Sequence, residues 1–325
     1  MKNYLLIILL AFLSNLTHST EFDDKLELAK QGDASAQYNL GLMYDAGRGV
    51  QQDDKTAVMW YTKAAEQGDA DAQSILGFMY ASGQGVQQND KTAVIWYTKA
   101  AEQGDADAQS ILGFMYANGE GVPENDKTAV MWYRKAAEQG FADAQFNLGN
   151  MYSDGRGVPE NDKTAVMWYT KAAEQGYADA QFKLGLMYGN GEGVPENDKT
   201  AVIWFTKAAE QGYADAQLYL GLMSHSSQPV DGFPKNNKTA AMWLAKAAEQ
   251  GDARAQFFLG YIYATGEGVP ENDIKAYAWS SMAKANGYNI DGAAKIIKER
   301  MTKEQIAKAQ DLAAKCYASD YKDCD

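Results

Sequence analysis

Apolar residues recur along this chain at helical spacing, in two alternating stripes. Ala36, Leu40 and Tyr44 fall at i, i+4 and i+8; after a glycine-rich break, Ala57, Trp60, Tyr61, Ala64 and Ala65 fall at i, i+3, i+4, i+7 and i+8. Each set draws one apolar band along a helix whose other positions are largely polar. The pair of stripes then begins again. All seven tryptophans share its lattice: Trp60, Trp96, Trp132, Trp168 and Trp204 are 36 residues apart, Trp243 follows after 39 and Trp279 after another 36. A self-similar period of this size predicts an all-α solenoid of tandem helix-turn-helix units, none of which buries its apolar face alone.

Seven copies run 33–68, 69–104, 105–140, 141–176, 177–212, 213–251 and 252–287. Gly47-x-Gly49-Val50 and its equivalents end the first helix, because glycine takes the left-handed backbone of a helix terminus without steric cost. The Glu-Asn-Asp strings after Pro123, Pro159, Pro195 and Pro270 offer acceptor side chains to the free amides that open the second helix. Gly68, Gly104 and their equivalents close it. Gly41 lies beside the first stripe, where a missing side chain admits another helix, so large Trp and Leu are expected to interlock with small Gly and Ala.

The string Ala-Gln-x-x-Leu-Gly-x-Met-Tyr-x-x-Gly-x-Gly-Val, followed by Lys-Thr-Ala-Val-x-Trp-Tyr-x-Lys-Ala-Ala-Glu-Gln-Gly, resembles the Sel-1-like repeat family, relatives of tetratricopeptide repeats. The resemblance covers essentially the whole chain after residue 19. It implies a right-handed α/α superhelix whose first helices line a concave face, and an adaptor role toward other proteins. Residues 288–325 fit the family's terminal cap, with Thr302 and Gln305 as a capping box that opens a helix turning Ile306, Ala309, Leu312 and Ala313 inward. Residues 20–32 resemble an isolated second helix covering the first unit.

Residues 1–19 read as a secretory signal peptide: Lys2, an apolar run from Tyr4 to Leu16, and a small-residue exit near Ser19. Such a run is short for a membrane span. The expected product is exported, periplasmic or secreted, monomeric and without an integral membrane segment. Removing residues 1–19, whose one charged residue is Lys2, moves the formal charge from −13 to −14. That acidity argues against nucleic acid as a partner, since phosphate binding depends on clustered Lys and Arg. The two cysteines, Cys316 and Cys324, are expected to pair in an oxidising compartment, stapling the tail by about 2.5 kcal/mol on the chain-entropy estimate.

Chemistry has little material to work with. After residue 19 the one histidine is His225, so neither a metal site nor a cofactor is expected, and the glycine pairs lack the frame of a phosphate loop. Ser281 and Lys284 satisfy Ser-x-x-Lys, but no Lys-Thr-Gly or Ser-Asp-Asn partner accompanies them. Cysteine-rich secreted members of the resembled family are described as penicillin-binding or β-lactamase-like, with a Cys pair spaced as Cys316 and Cys324 are. A cell-wall or β-lactam ligand, or a secreted factor aimed at a host receptor, is therefore the alternative to a non-enzymatic adaptor for a protein or peptide.

Counted within each unit, positions 3, 7, 10 and 14 of the first helix point away from the stripe at 4, 8 and 12. They place Ile75 and Phe78, Ile111 and Phe114, then Tyr219 and Leu222, Phe258 and Tyr261 on the outward side, with polar Asn147, Asn150 and Lys183 between. Two apolar interaction regions are expected there, with packing against a neighbouring helix as the other reading. The sixth unit carries a longer connector, from Ser224 to Phe233, which adds His225 and Phe233 as candidates. Phe141, Tyr177 and Tyr213 stand where the first three units have Asp; they read as staples over a helix start or as a ligand ladder.

Overall fold

A computed structural model describes residues 22–226, 233–289, 291–322 and 324; the expected signal peptide lies outside them. Regular structure among the described residues is helical, save an isolated bridge at Phe233. Helix α1 spans 22–30. The first helices of the seven repeats are α2 (Ala34–Ala46), α4 (Ala70–Ser82), α6 (Ala106–Asn118), α8 (Ala142–Ser153), α10 (Ala178–Asn190), α12 (Ala214–His225) and α14 (Ala253–Thr265). The second helices are α3 (Asp54–Glu66), α5 (Asp90–Glu102), α7 (Asp126–Glu138), α9 (Asp162–Glu174), α11 (Asp198–Glu210), α13 (Asn237–Ala248) and α15 (Asp273–Ala285). Helices α16 (Asp291–Arg300) and α17 (Lys303–Ala318) follow. The chain divides into two compact halves, one through Asn161 and one from Asp162, the division falling between α8 and α9.

The helix boundaries follow from side-chain chemistry. Asp33, Asp69, Asp105 and Asp252 each accept the amide three residues on, at 2.7, 2.9, 2.6 and 2.8 Å. Second helices open on the expected acceptors, such as Asn89, Asn125 and Asn197, which take the amides of Thr92, Thr128 and Thr200. First helices stop where Gly47 turns left-handed, at φ 64°. The second connector glycine has a different task. A Cβ on Gly85 would lie 2.5 Å from the Asp54 carbonyl oxygen, so the glycine is required by the helix start of the preceding repeat. Gly121, Gly157, Gly193 and Gly268 meet Asp90, Asp126, Asp162 and Asn237 in the same way.

The interior assigns the large side chains differently from the expectation that tryptophan would interlock with glycine. The ring over Gly41 is that of Tyr61, whose Cγ would sit 2.9 Å from an added Cβ; Tyr97 covers Gly77 and Tyr133 covers Gly113 likewise. Trp60 packs instead with Ala29 of α1, Ala36 and Leu40, and Trp132 with Ala93, Val94 and Tyr97 of the preceding repeat. Adjacent helical residues point about 100° apart, so Trp and Tyr can serve two neighbours: the tyrosine closes its own hairpin and the tryptophan joins it to the previous one. A lysine one turn later lays its ammonium over the indole, as Lys63 does at 4.3 Å and Lys99 at 4.0 Å.

A buried amide ladder fixes the joints. Gln73 Nε2 donates to the Ala65 carbonyl at 2.9 Å, and its Oε1 accepts Gln103 Nε2 at 2.8 Å. Gln103 donates also to the Gly68 carbonyl. Gln109 with Ala101 and Gln139 repeats the arrangement, and in the second half so does Gln217 with Ala209 and Gln250. Both ends are finished with the same parts. Gln37 bonds the Ala29 carbonyl, so α1 stands in for a second helix. Asn286 replaces the last glutamine, reaching Gln256 Oε1 at 3.0 Å and the Tyr321 hydroxyl at 2.7 Å. Arg300 bonds Asp273 and the Ala264 carbonyl as Arg156 bonds Asp126 and the Ala117 carbonyl, so α16 closes repeat seven as a further repeat would.

Candidate protein-interaction surface

In the first half, Phe78 on α4 and Phe114 on α6 are 54% and 48% exposed. Ile75 and Ile111, one turn earlier, are half-buried against the cores of their hairpins. The four were expected to share an outward wall. On a 100° step, however, position 7 lies roughly 100° from the centre of the buried stripe and position 10 roughly 160° from it, so the turn that exposes phenylalanine returns isoleucine to the core. Exposed Asp71 and Asp107 occupy position 3 of the same helices. Partial desolvation by neighbouring atoms, then Asp105, raises the Asp107 carboxyl above its ordinary value although the residue is exposed.

In the second half the split holds in repeat seven and fails in repeat six. Tyr261, at position 10, is 44% exposed and Phe258, at position 7, is half-buried, whereas Leu222, at position 10 of repeat six, is half-buried too, against the core around Leu218, Leu244 and Leu259. Tyr219 stacks on Phe205 at 5.4 Å between ring centroids and meets Phe182 edge-on at 5.5 Å, which makes it core. His225 ends α12 with Nδ1 3.6 Å from Glu267 Oε2 and its ring edge-on to Tyr261 at 5.8 Å. Phe233 packs against the core formed by α10 to α13; of its connector, residues 227–232 lie outside the described residues.

Other sequence candidates find local roles. Phe141, Tyr177 and Tyr213 occupy the N-cap position itself and make no side-chain cap bond, which departs from a staple, whose apolar residue precedes the cap. Tyr213 packs on Phe182 at 5.2 Å and donates its hydroxyl to Asp179 at 3.2 Å; its burial first, then Asp179, pushes its pKa up to about 12. Ser281 Oγ donates to the Tyr277 carbonyl of its own helix at 2.7 Å. Cys316 and Cys324 are disulfide-bonded, and the Thr302–Gln305 capping box forms with both of its bonds.

Two features of the structure have no local signal in the sequence. The glutamines of the ladder stand in the motif without an evident partner, because their mutual bonds join residues 30 positions apart, or 33 across the longer sixth repeat. The second helices also bear an exposed apolar residue at one register: Met59, Ile95 and Met131 in the first half, Met167, Ile203 and Met242 in the second. Lys55 and Lys63 flank Met59 one turn away on each side, and both are exposed. Among the described residues no group of three or more His, Cys, Asp or Glu is placed to hold a metal ion, and no helix is long and apolar enough to cross a membrane.

The Sel1 repeat family model matches seven successive segments, 34–69, 70–105, 106–141, 142–177, 178–213, 214–252 and 253–288. The chain belongs to the Sel1 repeat family. A Sel1 repeat protein from Oxalobacter formigenes is 36% identical, with a TM-score of 0.72 over 88% of this chain and 82% of that one. A protective antigen present in uropathogenic Escherichia coli strains, displaying the same repeat fold, is 30% identical, with a TM-score of 0.55 over 92% of this chain and 87% of that one. No curated protein matches. The seven helical pairs are Sel1 repeats forming a solenoid-type fold, and such repeats generally mediate contacts between proteins.

Proposed function

We propose that this Sel1 repeat protein is an exported, non-enzymatic adaptor that captures a protein or peptide on its first helices. The observation that carries the reading is the exposure of Phe78 and Phe114 at equivalent positions of consecutive repeats, where the packing around them gives no reason for an aromatic residue. Large apolar side chains left open at one register suit a partner's apolar side chains. Exposed Asp71 and Asp107 on the same helices favour basic residues beside them. In this reading residues 1–19 are removed, 20–32 and 288–325 cap the repeats, and the disulfide suits an oxidising compartment.

Photocrosslinking from positions 78 and 114 in the native envelope tests the binding surface, with position 59 as the control. A partner joined from 78 and 114 and lost in the Phe78→Ser, Phe114→Ser double variant at unchanged helicity is the expected result. Equal crosslinking from all three positions, or unfolding of the double variant, removes the support. Terminal sequencing of the processed protein should begin at residue 20; an unprocessed chain in the cytoplasm refutes export.

A further inference from the structure

The residue that covers the first-helix glycine changes along the second half. It is Tyr61, Tyr97 and Tyr133 in the first three repeats, then Phe205, Leu244 and finally Ser280. In repeat seven Ser280 Oγ would sit 2.7 Å from a Cβ on Gly260, where the tyrosine Cγ atoms would sit 2.7 to 2.9 Å from theirs. The Ala276 carbonyl oxygen and the Ser280 amide would also lie 3.0 and 3.2 Å from the Cβ on Gly260, so α15 itself comes closer to Gly260, and the side chain covering it ends at Oγ. The ring that other repeats place beyond it is missing. Tyr38 meets Tyr61 at 5.9 Å and Phe182 meets Phe205 at 5.7 Å, whereas Phe257, at the same register, lines a cavity together with Ser280.

That cavity measures about 250 Å³ and is walled also by Tyr261, Ile296, Ile297 and Arg300. Ile296 stands at its mouth, 64% exposed. Apolar cavities of about 150 Å³ take up benzene, so the space is sufficient for one ring. Arg300 is committed to Asp273, Glu271 and the Ala264 carbonyl, which leaves a compensated cation rather than an anion receptor. A planar guanidinium so held still attracts the face of a neutral ring.

We propose that repeat seven holds a socket for one neutral aromatic side chain, Phe or Tyr, presented by the protein or peptide that the adaptor captures. The inference rests on the adaptor reading for its partner and on the missing ring for its chemistry. A partner's ring completes the contact that Tyr61 makes within its own hairpin. Tyr261, exposed in the free protein, is covered by the arriving chain.

Toluene and p-cresol, the analogues of the two side chains, test the socket on the full chain by thermal shift and ligand-observed NMR. The native protein should melt higher with increasing probe. Ser280→Phe, which restores the ring of repeat five, should melt higher alone and lose the response. Ile296→Glu, a change at an exposed position, should weaken probe binding at least about tenfold by placing a charge at an apolar mouth. Met59→Ser, at an exposed position of the first repeat, should leave it unchanged. Absence of a probe response in the native protein, or an undiminished response in Ile296→Glu, overturns the socket. Probe binding without partner capture would instead overturn the adaptor reading and leave the socket standing.

Discussion

The first three repeats and the last three are built on one plan, yet they keep different parts of it. Gln73 and Gln109 in the first half and Gln217 and Gln256 in the second all donate to the carbonyl of the preceding repeat, and each accepts an amide from its own. Over the same span the ring above the glycine passes from tyrosine to phenylalanine, leucine and serine, and the aspartate cap gives way at Tyr177 and Tyr213. The two kinds of joint carry different penalties. A buried amide that loses its partner forfeits its solvation as well as its bond, whereas apolar fillings of similar shape exchange at small cost. Polar register is therefore kept and packing is free to drift, and new surface chemistry arises where it has drifted.

The sharpest way to break this comparison is to remove a joint that both regions use. Trp132→Ala and Trp279→Ala should each cost about 3–5 kcal/mol in urea unfolding, since both indoles are buried between repeats. A much smaller cost in the second half would show that its packing has become slack. Next, Gln109→Leu and Gln217→Leu should each cost about 1–3 kcal/mol for every group left unpaired, with equal penalties in the two halves. Tolerance of the second alone would refute the ladder as the common register.

Alkaline pH probes the phenols that the first three repeats keep above their glycines. Burial pushes the Tyr97 phenol up to about 12, against 10 in an unfolded chain, and raises Tyr61 and Tyr133 in the same direction. The folded state holds these protons more tightly, so the stability they contribute is complete below pH 10 and is lost as pH climbs through 12. Melting followed by circular dichroism should fall over that window, and Tyr97→Phe should reduce the fall. An unchanged profile would contradict the burial of the phenol. The smallest effect expected is a gain. The Tyr61 hydroxyl is buried without a hydrogen-bond partner, so Tyr61→Phe should leave stability unchanged or raise it by up to about 1 kcal/mol, as Phe205 already does without a hydroxyl.

Most of the fold was legible because periodicity and helix punctuation are local signals. The tryptophan lattice announced the repeats, Asn89 and Asn125 announced helix starts, and Thr302 with Gln305 announced the final helix. Contacts between elements were less legible. Trp60 and Tyr61 belong to one stripe, and nothing in the stripe tells which turns to its own hairpin and which to the preceding one. The surface was legible in part: the helical step separates Ile75 from Phe78, but Leu222 occupies the position of Phe78 in repeat six and is half-buried, which only its neighbours decide. Ser280 carries no signal of its own in the sequence, because its meaning lies in a ring it lacks and depends on which residue lies above each glycine.

The closure of repeat seven by Arg300 has a consequence for how such a chain can change over generations. Because Arg300 gives repeat seven the pair of bonds that Arg156 gives repeat three, the cap can take the place of a following repeat, and neither pair of bonds depends on how many copies precede it. Duplication or loss of one complete copy by slippage between near-identical segments then changes the number of first helices one at a time while the closing contact of the last repeat is kept.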